Sequence, residues 1–131
     1  MFRAFILFMY AEDVYHLKHE PEQIIFWVKA ASTKNTVRKY SRFVEVICCY
    51  DLDKSPFNQD THWSTRSGIF SDDLIYKQGH PHGKPPALIE KLLAVNAWPG
   101  DRILDPFAGS ETVRKVCEQI DMNSISIEIS K

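Results

Sequence analysis

The sequence has no excess charge of either sign, few cysteines and no long apolar run, and each absence excludes something. Sixteen Lys and Arg stand against seventeen Asp and Glu for a formal charge of -1, so no global field draws the chain onto a polyanion, and any nucleic-acid contact must come from a local patch. The three cysteines are odd in number, and Cys48 and Cys49 adjoin while Cys117 is remote. This is no disulfide framework and contains no Cys-x-x-Cys ligand pair, so a reduced, cytoplasmic setting without structural zinc is expected. No stretch approaches the roughly 20 apolar residues that span a bilayer, so no membrane partner is expected. The apolar start Phe5 to Tyr10 runs straight into Glu12 and Asp13 without a small-residue cleavage site, which reads as a buried strand and not as a signal peptide. There is no internal repeat and no low-complexity tract.

What remains is an ordinary globular composition of 131 residues, 44% hydrophobic and 25% charged, the size of one domain. Phe5 to Tyr10, Ile24 to Val28 and Phe43 to Tyr50 have the length and β-rich character of strands, with a helix from Ala11 to Lys18 before Pro21. Ser32 to Arg42 carries Lys34, Arg38, Lys39 and Arg42 as an exposed basic segment, a candidate for phosphate contact, with Tyr40 or Trp63 as stacking surfaces. A solvated loop is the competing reading.

From Asp51 to Gly83 the text suits a long irregular connection with one short strand near Ile69. Within it, Asp72 and Asp73 read as solvated acids, and His62, His80 and His82 have no spacing that closes a ligand set, so no metal is expected. Helical periodicity then places Leu88, Leu92, Leu93 and Val95 on one face of a helix from Pro85 or Pro86 to Asn96. A turn at Pro99-Gly100-Asp101 leads to a strand at Arg102 to Asp105, a helix from Ser110 to Gln119 and a strand from Ser124 to Ile129. Strand-helix-strand at this spacing predicts a parallel sheet and an α/β fold. Trp27 and Trp98 are expected in the core or a pocket wall, Cys48 and Cys49 as a packed strand pair, and His16 and His19 at the surface.

Chemistry concentrates in Gly100-Asp101-Arg102-Ile103-Leu104-Asp105-Pro106-Phe107-Ala108-Gly109-Ser110-Glu111-Thr112. An acid ending a strand, then a glycine turn and a helix start, places ligand-binding groups at the carboxyl edge of a parallel sheet. Glu128, about 20 residues on, stands where an acid can take the hydroxyls of a ribose.

Asp105-Pro106-Phe107-Ala108-Gly109-Ser110, preceded by Pro-Gly-Asp-x-Ile-Leu and by His80-Pro81-His82-Gly83-Lys84-Pro85, closely resembles the site-specific N4-cytosine or N6-adenine DNA methyltransferases. The likeness is carried by Gly79 to Ile129 and extends more loosely to Ile24 to Lys29 and Tyr40 to Glu45. It implies a Rossmann-like, S-adenosylmethionine-dependent fold with an incomplete sheet and helices on both faces. One domain would comprise a reduced target-recognition or loop region over 32–79 and cofactor motifs over 80–131. It implies DNA as partner and S-adenosylmethionine as cofactor. By the same likeness Asp105, Pro106, Phe107, Gly109 and Ser110 form the cofactor loop, Lys84 and Pro85 close the pocket, and Glu128 holds the ribose. The motif order looks permuted, with cofactor motifs last.

Two departures stand beside these matches. The family's catalytic loop, Asp, Asn or Ser followed by Pro-Pro and an aromatic residue, occurs nowhere in the chain, so the catalytic residues stay unassigned and the chain looks truncated. The family's Gly-Ser-Gly-Thr is here Gly109-Ser110-Glu111-Thr112, which puts a side chain and a negative charge where a carboxylate-bearing ligand approaches. The resemblance therefore implies either a methyltransferase completed by a partner chain or a second copy, or an inactive DNA- or protein-binding module, such as a phage or other mobile element would carry.

Overall fold

The computed structural model describes residues 4–29, 44–54, 66–71 and 83–128. The basic segment with Lys34, Arg38, Lys39, Tyr40 and Arg42 lies outside the described residues, as do His62, Trp63, Asp72, Asp73, His80 and His82. The described residues form two compact units, one built from the first four strands and the other from two helices and the last two strands.

In the first unit, strands β1 (Phe5–Tyr10), β2 (Gln23–Val28), β3 (Val44–Tyr50) and β4 (Ile69–Ser71) lie in the order β1-β3-β2-β4. Strand β3 is antiparallel to both β1 and β2, while β4 runs parallel to β2. The register sets Leu7, Cys48 and Ile24 side by side on one face and Phe8, Ile47 and Ile25 on the other. As the central strand, β3 is buried on both faces, which is why it reads as a run of apolar residues with no polar alternation.

Its one charged member, Glu45, is buried and is satisfied by an ion pair with Lys29. The Lys29 ammonium also stands 4.9 Å from the Trp27 ring centroid, so the cation that neutralises Glu45 packs on an aromatic face. Cys48 and Cys49 point to opposite faces as free, buried thiols; loss of hydration pushes the Cys49 thiol up to about 11.

Several sequence expectations need correction, among them the last strand, which spans Asn123–Ser126 and not Ser124 to Ile129. Strand β1 is half-buried, with Phe5 and Leu7 exposed by 49% and 42%, and among the described residues it pairs on one side, with β3. The segment after it is a 3-10 helix over Ala11–His16, not an α-helix to Lys18. None of its residues is buried, so no packing holds a full α-helix, and Leu17 is already extended. Another concerns Trp98, which is 45% exposed in the second unit; its N–H donates to the Asp101 carboxylate at 2.9 Å in the turn that leads to β5.

In the second unit, α1 (Pro86–Asn96) follows Pro85, whose φ of -60° suits a helix start, and it buries Leu88, Ile89, Leu92 and Leu93. Gly100, with φ +91°, turns the chain into β5 (Arg102–Asp105). Helix α2 (Thr112–Gln119) then returns the chain to β6 (Asn123–Ser126), parallel to β5, and packs on β6 and against α1. Val116 and Cys117 are its buried anchors. Helix α2 starts two residues later than the periodicity predicts, because Glu111 is left-handed with φ +58° and cannot belong to it. Among the described residues, no helix is long and apolar enough to cross a membrane.

Candidate functional site

The carboxyl ends of β5 and β6 carry a loop held by backbone and carboxylate bonds. Asp105, the last residue of β5, accepts the Phe107 N–H on Oδ1 at 3.1 Å, closing a tight turn around Pro106, which has no N–H to place. Its carbonyl accepts the Ile127 N–H at 2.8 Å, and the Ile127 carbonyl in turn accepts the Ala108 N–H at 3.0 Å. The chain leaving β6 therefore clamps the turn from both sides. Gly109, with φ +46°, directs its N–H to Glu128 Oε2 at 2.6 Å. Nineteen residues apart in sequence, these two groups are in direct contact.

That bond uses one carboxylate oxygen of Glu128, which is exposed, and leaves the other for a ligand hydroxyl. Phe107 is 79% exposed, so its ring faces solvent at the loop without packing beneath it. Ser110 and Thr112 share a hydroxyl bond of 2.9 Å, and the Lys115 ammonium donates to the Ser110 carbonyl at 3.3 Å. Lys84 and Pro85 stand on another element, just ahead of α1, with Pro85 buried and Lys84 half-buried. An acid, an exposed aromatic ring and a backbone-lined turn at parallel strand ends suit a hydroxylated ligand with a flat ring.

Glu111 sits in the left-handed region that favours glycine, which gives the physical sense of the glycine in the Gly-Ser-Gly-Thr pattern. Its carboxylate does not stand alone before the loop. It turns along α2 to Arg114, with Nη2 to Oε2 at 2.8 Å and Nε to Oε1 at 3.3 Å, and Arg114 continues to Glu118 at 2.6 Å. The Arg114 hydrogen bond and charge hold the Glu111 carboxyl below the usual carboxylate range. Glu111→Ala is expected to lower the thermal midpoint, since it loses Arg114 and keeps the strained backbone. Glu111→Gly, free of that strain, is expected to melt above Glu111→Ala by circular dichroism. Equal midpoints would show that the left-handed conformation carries no cost.

The residue type of Arg114 carries no signal by itself, yet its positions three after Glu111 and four before Glu118 on a helix are a legible one. Ile127 acts through its backbone and left no signal of its own. In the first unit, Glu22, Asp51 and Asp53 hold carboxylate oxygens within 4.8 Å of one another; Glu22 there accepts the Leu52 N–H at 3.2 Å and fixes the turn after β3.

A family model described as DNA methylase matches residues 2–131. The Type II methyltransferase M.HpaI of Haemophilus parainfluenzae is 40% identical over 55 residues, which is 42% of this chain and 18% of M.HpaI. The DNA adenine methyltransferase YhdJ of Escherichia coli (strain K12) is 42% identical over 53 residues, or 40% of this chain and 18% of YhdJ. The matched stretch thus spans less than a fifth of either curated relative. Among solved structures, the M1.HpyAVI-SAM complex superposes with a TM-score of 0.73 at 25% identity, covering 98% of this chain and 69% of that one. The cytosine-N4-specific PvuII DNA methyltransferase superposes with a TM-score of 0.67 at 14% identity, over 91% of this chain and 50% of that one, a likeness of fold alone. The fold is the α/β fold of these methyltransferases.

Proposed function

Since this chain belongs to the DNA methylase family, we propose that its second unit binds S-adenosylmethionine and serves methyl transfer to an adenine N6 or cytosine N4 amine in DNA. The observation that carries this reading is the contact of Gly109 N–H with Glu128 Oε2, which sets a second acid against the loop leaving Asp105. The residues present fit the cofactor. Glu128 has an oxygen to accept ribose hydroxyls, Phe107 offers an exposed ring to the adenine, and the turn of Asp105, Pro106, Gly109 and Ser110 presents backbone to the rest. Lys84 and Pro85 close the pocket from the start of α1. When bound, the cofactor supplies an activated methyl group. These residues would hold it by its nucleoside, Glu128 taking the ribose hydroxyls and the turn supplying backbone groups to the rest.

Lys34, Arg38, Lys39 and Arg42 supply the DNA-phosphate contacts in this reading, which suits a chain whose net charge gives no general attraction. The one Pro-Pro pair in the chain, Pro85-Pro86, lies between Lys84 and Ala87 and does not make the catalytic motif. In this reading a partner brings the Asp, Asn or Ser followed by Pro-Pro and an aromatic residue. The absence of this motif also favours a second reading, a catalytically inactive DNA- or protein-binding module.

Calorimetric titration of the purified chain separates the two. Dissociation in the range of about 1–100 μM, roughly 5–8 kcal/mol, supports the cofactor reading. Absence of heat at millimolar S-adenosylmethionine would leave the inactive module in its place.

A further inference from the structure

Glu111 stands at the N-terminal end of α2, one residue beyond the cofactor turn. Its N–H donates to the Ala108 carbonyl at 2.7 Å and its own carbonyl accepts the Lys115 N–H at 3.1 Å, so its backbone is fixed by the turn on one side and by the helix on the other. The first amides of a helix have no acceptor within it, and the helix dipole makes that end attract a carboxylate. Two carboxylates compete for it, the one that the cofactor carries and the one on Glu111. Yet Glu111 makes no side-chain bond at the cap of α2. Both of its oxygens go to Arg114, Oε2 to Nη2 at 2.8 Å and Oε1 to Nε at 3.3 Å, and Glu118 steadies Arg114 from the next turn at 2.6 Å.

We infer that Arg114 is a positioning residue for the cofactor: by taking both oxygens of Glu111 it holds that carboxylate along α2 and leaves the start of the helix to the carboxylate of S-adenosylmethionine. This rests on the cofactor reading and deepens it by giving the ligand's amino-acid end a place. Gly109, whose N–H bonds to Glu128, is two residues before Glu111, at most about 7 Å of chain, so a ligand whose ribose meets Glu128 has its carboxylate within reach of α2. A glycine at this position would need no such device, having no side chain to hold aside. The planar guanidinium suits the task, because its fork fixes both oxygens at once. Lys115, four residues after Glu111, is a single point charge and already donates to the Ser110 carbonyl at 3.3 Å, so it does not replace the fork. The side chains of Arg114 and Glu111 are 39% and 48% exposed, which makes the effect moderate and sensitive to salt.

The test titrates the full chain at low salt with S-adenosylmethionine and with its decarboxylated form, which keeps the sulfonium and the ammonium but has no carboxylate. Arg114→Ala is expected to weaken S-adenosylmethionine about three- to fivefold, a loss that shrinks at high salt, and to leave the decarboxylated ligand within about twofold of the parent. Adding Glu111→Gln, which keeps the shape and removes the charge, is expected to restore the affinity, a recovery that a role of Arg114 in folding alone would not give. Where circular dichroism shows that the alanine variant does not fold, Arg114→Lys, which keeps a cation without the fork, is expected to show the same ligand-selective loss at about twofold. In a folded variant, unchanged affinity, equal losses for the two ligands, or a loss that Glu111→Gln does not repair overturns the inference and leaves the cofactor reading in place. Tighter binding of S-adenosylmethionine by Arg114→Ala also overturns it, since Glu111 would then be meeting the ligand's ammonium. A parent chain that binds neither ligand removes the cofactor reading itself, and the inference with it.

Discussion

Glu128→Ala is expected to weaken S-adenosylmethionine binding about a hundredfold or more, the larger of the two effects on the site. The carboxylate has two tasks. One oxygen holds the Gly109 N–H at 2.6 Å, and in the proposed complex the other accepts ribose hydroxyls. Hydrogen bonds to a charged group contribute about 1.5–3 kcal/mol each, and every 1.4 kcal/mol is about tenfold in affinity, so losing two exceeds the hundredfold mark. Glu128→Gln keeps an acceptor for Gly109 but loses the charge, and its loss is expected to be nearer tenfold. If calorimetry gives both variants the parent's dissociation constant, Glu128 only pins the loop and the ribose assignment fails. A loss in Ala that Gln fully restores would assign the effect to the Gly109 anchor alone.

Leu88→Ala tests the other foundation, the packing that sets Pro85 and the start of α1. Leu88 has no exposed surface, its N–H bonds to the Pro85 carbonyl at 3.1 Å, and α1 packs on α2. Removing a buried leucine to alanine costs about 2–5 kcal/mol, a large share of the roughly 5–15 kcal/mol that holds a domain together. With a urea slope of about 2 kcal/mol per molar, the unfolding midpoint is expected to fall by about 1 M or more. Glu90→Ala, on the exposed side of the same helix, is expected to move stability by less than about 0.5 kcal/mol. Equal midpoints for the two variants would show that α1 is not anchored through Leu88.

Much of the second unit was legible because its signals are local. Pro85 and Pro86 mark a helix start, Leu88, Leu92 and Leu93 recur at helical spacing, and Gly100 supplies the positive φ of the turn into β5. In the first unit the run from Phe43 to Tyr50 marked a strand, but an apolar run says nothing about its neighbours. That β3 lies between β1 and β2, buried on both faces, became visible only in the pairing. The segment Ala11 to Lys18 had acceptable helical composition and still forms a 3-10 turn, since an isolated short helix needs a buried face and this one has none.

Element type and family came from the amino acids themselves, because backbone preference and motif spacing are properties of neighbouring residues. The contact of Glu128 with Gly109, the turning of Glu111 toward Arg114 and the exposure of Trp98 and of Leu104, Ile125 and Ile127 were decided by tertiary structure alone. Each depends on what another element places opposite a side chain. That is a sum of long-range packing choices which no local window of sequence contains.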